Sequence, residues 1–285
     1  MKKTGLLSLT FALSLALSPS MAGAETLNAA GIDSQGNTVE IGHELPKAKT
    51  KGKEKFDKPS KVEKDSVADV LDESGKKIKK TKIKKNDSEE LFGLFDWLGG
   101  GGSGGGTTEP PATTDRTVTV LVAVDEEYRA AHSDWQTLTT NIVEKADDGF
   151  IRDHSIDYDI KAFAQWTSNG NNASEILQDL DRDFNGNGYD FVVGFTRDTN
   201  FNSGGIAYVY PSAPSGSAIS VNLDQGAQNT WHAAQHEFSH NYGLGHDAQG
   251  SGIQCIMNYD YAYQVDFWDG DHDNEIEAHR TWYGN

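Results

Sequence analysis

The chain has 285 residues, with 43 acidic and 25 basic side chains, a formal net charge of -18 and a single Cys. That length suits one or two globular domains, and a 36% hydrophobic composition excludes a membrane bundle or a fibre. One Cys excludes an intramolecular disulfide framework. The acidic balance argues against nucleic acid or anionic membrane as a partner of the folded part, because both need positive surface.

Residues 1–24 read as a secretory signal. Lys2 and Lys3 start it, Leu6–Leu17 is apolar but too short to span a bilayer comfortably, and Ala22-Gly23-Ala24 supplies a small-residue cleavage pattern. The expectation is a secreted, extracellular protein without stable membrane insertion.

Residues 25–98 read as a basic, largely disordered propeptide. Between Lys47 and Lys85 there are 15 Lys against 7 Asp or Glu, a balance of +8, and such a segment cannot bury a core alone. Residues 99–114 are a linker, opening GGGGSGGG at Gly99–Gly106 and stiffened by Pro110-Pro111. The mature N-terminus falls between Leu98 and Arg116. Residues 115–285 read as the globular domain. From Thr107 onward 8 basic residues face 28 acidic ones, a net of -20. A basic leader tethered to so acidic a domain is attracted to it.

Periodicity gives the elements of that domain. Thr117–Val124 is β-branched and apolar, a buried strand. Trp135, Leu138, Ile142 and Ala146 recur at helical spacing, so Asp134–Ala146 is an amphipathic helix. Ile156–Phe163, Tyr189–Thr196, Ile206–Tyr210 and Ala218–Leu223 read as strands. Ser174–Leu180, Trp231–Asn241 and Asn274–Trp282 read as helices. The interleaving predicts an α+β fold with a mixed sheet flanked by helices.

The chemistry concentrates in His236–His246, HEFSHNYGLGH. His236 and His240 are four apart, so on a helix both project from one face. Glu237, beside the first, can take a proton from a metal-bound water. Gly243 can adopt the positive φ that ends a helix and brings His246 round as a third ligand. Three neutral imidazoles leave zinc an open position, the form of a catalytic site. His232, one turn earlier, reads as surface or packing.

These residues resemble the metzincin zinc endopeptidases, whose HExxHxxGxxH signature is followed by a Met-turn. That turn is matched by Cys255-Ile256-Met257-Asn258-Tyr259, eleven residues after His246. The resemblance implies a metzincin-type catalytic domain, with a twisted mixed sheet, an active-site helix, and the zinc cleft between a larger and a smaller subdomain. It implies that Met257 packs beneath the histidines without ligating. Asn241, Asp247 and the Cys-Ile-Met start of the turn look like adamalysins (reprolysins); Tyr259 looks like astacins and serralysins, where it stabilises an oxyanion. The mixture is similar to secreted bacillus-type metzincins. In the resemblance Asp247 anchors the turn by accepting hydrogen bonds. Cys255 has no partner here, so a buried free thiol is expected.

Gly205, Ile206 and Ala207 resemble the metzincin edge strand to which an extended substrate adds by main-chain hydrogen bonds; a plain protected sheet edge is the other reading. Asp181, Asp183, Asn185 and Asp190 match the start of a calcium loop, but Val192 stands where its Glu belongs, and an Asn-Gly turn fits equally. Asp269, Asp271, Asp273 and Glu275 read as acids at the start of the last helix, with Asp271 or Asp273 as the cap. The leader has no Cys for a thiol latch. Asp96 is the candidate carboxylate for the open zinc position.

The reading that follows is a monomeric, secreted zinc endopeptidase made as a zymogen, acting on proteins or peptides, with its propeptide as inhibitor or chaperone. Its rivals are a non-catalytic zinc adhesion module and a zinc hydrolase of a non-peptide amide.

Overall fold

The computed structural model of the chain describes residues 29–54, 66–83 and 115–285. The signal segment, the linker and Asp96 lie outside the described residues.

The C-terminal domain opens with β5 (Arg116–Val124). Two short helices follow, α1 (Glu126–Ala131) and then α2 (Trp135–Ala146) after one loop, with α3 (Asp148–His154) behind them. Next come β6 (Ile156–Gln165), α4 (Ala173–Phe184) and β7 (Phe191–Thr196). The chain closes with β8 (Gly205–Ala207), β9 (Ala218–Leu223), α5 (Ala227–Asn241) and α6 (Gly270–His279). Every residue of β7 is buried, and five of six in β9 are, so both faces of the central strands are covered. That is why these strands read as continuous apolar runs rather than alternating ones.

Ahead of the domain stand β1 (Ala29–Ile32), β2 (Thr38–Ile41), β3 (Ser66–Leu71) and β4 (Lys77–Ile83). β1 and β2 form an antiparallel hairpin. β3 and β4 enter the main sheet, whose order is β4-β3-β6-β5-β7-β9-β8. β3 lies parallel to β6, pairing Asp69 with Ala162 and Val70 with Phe163. Among the described residues the leader's buried apolar side chains form no separate cluster within the leader. It borrows the domain's: Val39, Ala68 and Ile83 join the main apolar cluster. In these two stretches it is folded rather than disordered. β4 keeps its lysines exposed, which is how a Lys-rich strand can sit at a sheet edge.

Ala218–Leu223 recurs unchanged as β9 and the other eight predicted segments recur with shifted ends; the local chemistry explains two of the shifts. α4 is longer than Ser174–Leu180 because Asn172 caps it, its Oδ1 accepting from Glu175 N at 2.9 Å. α6 starts at Gly270 rather than Asn274 because the cap is Asp269, not Asp271 or Asp273. Its Oδ1 accepts from the N–H groups of Asp271 and His272, both at 3.0 Å. The remaining acids then occupy the positive first turn. α5 starts four residues early, β7 begins at Phe191, and β8 is only three residues long. α1 and α3, at 6 and 7 residues, are too short to show a period.

Candidate metal centre and cleft

α5 carries His236, Glu237 and His240, all fully buried. Asn241 at its end donates Nδ2 to the carbonyls of Tyr208 (2.9 Å) and Ile219 (3.1 Å), which ties the helix to β9 and the segment just after β8. The helix stops where Gly243 takes φ +93°, a conformation that side-chain-bearing residues rarely adopt. The turn returns the chain so that His246 faces His236 and His240.

The three Nε2 atoms form a triangle with edges of 3.1 Å (His236–His240), 3.1 Å (His236–His246) and 2.9 Å (His240–His246). The other ring nitrogens of His236 and His240 are committed. His236 Nδ1 lies 2.7 Å from the Ile256 carbonyl and His240 Nδ1 2.7 Å from that of Leu244. A carbonyl only accepts, so each Nδ1 carries the proton and each Nε2 a lone pair. Burial pushes His236 down to about 4 and His246 down to about 2, and lowers His240 well below the usual range, so all three imidazoles are neutral at pH 7. Three buried, neutral imidazoles converge through Nε2, two of them presenting lone pairs, and a cation between them would take all three. Around a tetrahedral zinc with Zn–N of about 2.0–2.1 Å, nitrogens sit about 3.3 Å apart. The triangle is within a few tenths of an ångström of that, so the donor set fits zinc.

Glu237 is the other misfit without a cation. Neither carboxylate oxygen has a hydrogen-bond partner, and burial raises its pKa well above the ordinary value, with Glu44 adding to the rise. It lies against the backbone of Gly205, where a Cβ would come within 2.9 Å of both its Cγ and Cδ. Only a glycine leaves room for the carboxylate beside the edge strand.

Met257 is fully buried, and its carbonyl accepts from the Asp247 N–H at 3.2 Å. The turn is thus tied by the main chain of Asp247, while Asp247 Oδ2 lacks a hydrogen-bond partner. That side chain instead faces Cys255, Asp269 and His272, whose ligand-type atoms lie within 4.8 Å of one another and of its own. Cys255 is a buried free thiol. The Tyr259 ring stands 4.2 Å from that of His246, and burial raises its pKa, so the phenol keeps its proton. His232 stacks on Trp231 with ring centroids 3.5 Å apart and is packing, not a fourth corner of the triangle.

The proposed calcium residues do not converge. Asp181 accepts from Ser34 N and Oγ (each 2.8 Å) and from Asn185 Nδ2 (2.7 Å). Asp190 accepts from Thr119 N and Oγ1, and Asn185 Oδ1 from Ser217 N. Asp183 pairs outward with Arg182. Protein donors already occupy the oxygens that calcium would use.

β8 is the outermost strand of the sheet, antiparallel to β9, and Gly205, Ile206 and Ala207 are buried. They are buried because the leader lies on their free edge. Leu45 N donates to Gly205 O at 3.0 Å and Gly204 N to Leu45 O at 2.6 Å; Glu40 N donates to Val209 O at 2.9 Å and Val209 N to Glu40 O at 3.2 Å. Further along, Gly52 N reaches Gln225 O and Asn229 Nδ2 reaches Thr50 O. The Leu45 side chain is buried with Ala233 and Ala262, flanked by Tyr259 and Tyr263. Between the paired residues, His43 turns its ring to the metal centre, 5.2 Å from those of both His240 and His246. His43, Glu44, Leu45 and Tyr263 were missed from sequence, although His43 is the only His in the leader.

No curated protein matches the chain. Among solved structures, one described as "Structure of a chaperone-substrate complex" is similar over 60% of this chain and 36% of that one, at 13% identity and a TM-score of 0.43. The chain therefore spans about a third of that protein. The Reprolysin_5 model, metallo-peptidase family M12, matches residues 114–268, more than half of the chain. With its histidine triangle, buried Glu and Met-turn, the chain belongs to metallo-peptidase family M12, the zinc-using metzincin-type peptidases.

Proposed function

We propose that the protein is a secreted zinc endopeptidase made as a zymogen. The observation that carries the reading is the unpartnered Glu237 carboxylate between the histidine triangle and the backbone of the edge strand. His236, His240 and His246 would hold the zinc, which when bound supplies Lewis acidity toward a scissile carbonyl and a water.

The chain's own residues do the rest. β8 and its flanks bind an extended peptide by main-chain hydrogen bonds, as Gly204, Gly205 and Val209 already bind Leu45 and Glu40. Glu237 takes a proton as the water oxygen adds to the carbonyl carbon. It returns that proton to the amine nitrogen as the C–N bond breaks. Its raised pKa brings its basicity toward the working pH. The protonated Tyr259 donates a hydrogen bond to the developing oxyanion. Leu45 marks an apolar pocket, so substrates with a large aliphatic side chain at that place are favoured.

Zymogen status is supported by a leader that lies where substrate would lie. Secretion is supported by the signal pattern of residues 1–24. The test uses the full chain, its leader cut by trace trypsin, assayed on a general protein substrate and on small non-peptide amides. Cleavage of the protein, absent in Glu237→Ala, supports the reading. Turnover of the small amides alone would replace it with a non-peptide hydrolase.

A further inference from the structure

The leader does more than cover the cleft. Its residues 40 and 45 are paired to the edge strand in antiparallel fashion, and the residues between them cross in front of the metal centre. His43 sits at that crossing. It is buried at 6% exposure although it belongs to a Lys-rich segment. Its Nε2 lies 3.3 Å from Glu40 Oε2, so that nitrogen carries the proton and donates. Its Nδ1 is buried without a hydrogen-bond partner. A buried imidazole lone pair with no donor facing it is costly unless a cation takes it. One ring nitrogen of His43 lies within 4.8 Å of those of His240 and His246. His236 is not part of that group, so His43 stands on the His240–His246 side of the triangle.

We propose that His43 is the latency ligand: its imidazole caps the fourth position of the zinc held by His236, His240 and His246. The inference rests on the zinc peptidase reading above. A fourth imidazole closes the site, and a closed tetrahedral site has no place for water or carbonyl. Glu40 orients the ring from behind, as a carboxylate does for a metal-bound histidine. The main-chain pairing on either side raises the local concentration of the ring, so a single added ligand suffices to hold it. Removing the leader removes the ligand and frees the edge strand in one step. Glu44 is the rival cap, because it is the neighbouring acid whose charge reaches both Glu237 and Tyr259.

The test uses the full chain carrying Glu237→Gln, which prevents self-cleavage, loaded with Co(II) as a spectroscopic stand-in for zinc. X-ray absorption counts imidazole nitrogen ligands through the outer-shell scattering of their rings, and titration with acetohydroxamate reads access to the open position. The expected result is four nitrogen ligands and weak hydroxamate binding. With His43→Ala or the shape-conserving His43→Gln added, one nitrogen is replaced by oxygen and hydroxamate binds at least tenfold tighter. Glu44→Gln leaves both readouts unchanged. Unchanged coordination and affinity in both His43 variants, or a change in Glu44→Gln instead, overturns the proposal while leaving the zinc reading intact. Failure of the unmodified chain to bind one equivalent of Co(II) overturns both.

Discussion

Leu45→Ala should loosen the leader without weakening the domain. Leu45 is 1% exposed and packs with Ala233 and Ala262 in a cluster separate from the main core. The change removes three carbons, a loss of about 2.4 kcal/mol at ~0.8 kcal/mol per buried CH2. The cavity term brings the expected cost to about 2–5 kcal/mol. Because the lost contacts join leader to cleft, the cost falls on docking rather than on global folding. About 2 kcal/mol corresponds to a roughly 30-fold larger undocked fraction. Native-state amide exchange reads this directly, since the N–H groups of Gly204 and Leu45 bond across the docking seam. Protection at those two amides should drop by roughly 30-fold or more, while amides of β5 and β7 keep theirs. An equal loss everywhere would place Leu45 in the global core. No loss at Gly204 and Leu45 would mean the leader is not held through this pocket.

Other consequences can be checked independently. Gly205→Ala places a Cβ within 2.9 Å of the Glu237 Cγ and Cδ, so proteolysis should fall by about 10²-fold or more while melting and zinc content stay near wild type. Gly243→Ala imposes a Cβ at φ +93° and 3.0 Å from the Tyr210 carbonyl, at a cost of about 1–2 kcal/mol; zinc affinity by competition with a chelating dye should weaken. The metal-free chain should lose thermal stability as pH falls from about 6.5 toward 4. His236 and His246 are depressed to about 4 and about 2, so across that window the unfolded state binds more protons than the folded one, and stability rises with pH. Zinc-loaded chain should be more stable than the metal-free chain across the window, by a margin that shrinks toward pH 4 as protons compete for the imidazoles, and the absence of any zinc increment at pH 6.5 would count against the triangle as the metal site.

What could be read from the sequence follows from where the information is local. The His236–His246 spacing is set by helix geometry and one glycine, so the histidine triangle follows from a few neighbouring residues. Buried strands such as β5 and β7 declare themselves by unbroken apolar runs. β3 and β4 do not, because β3 is placed by pairing with β6, far along the chain, and β4 keeps its lysines exposed at the sheet edge, which no local apolar pattern encodes. The cap of α6 lies two or four residues before the expected Asp271 or Asp273, because several acids in a row all satisfy the same rule. The calcium reading matched a spacing, but the oxygens had closer donors: Ser34 and Thr119 are far away in sequence. His43 was overlooked for the same reason. Its meaning depends on residues about 200 positions away, brought to it by pairing with β8.

The central claim is that zinc on these three histidines and Glu237 together cleave peptide bonds. The most direct measurement strips the trypsin-cut chain with a chelator and restores zinc, in wild type and in Glu237→Ala, following hydrolysis of a protein substrate. The account predicts loss on stripping, recovery with zinc in wild type only, and zinc bound in both. Hydrolysis that survives stripping, or that Glu237→Ala retains at the wild-type rate, would contradict it.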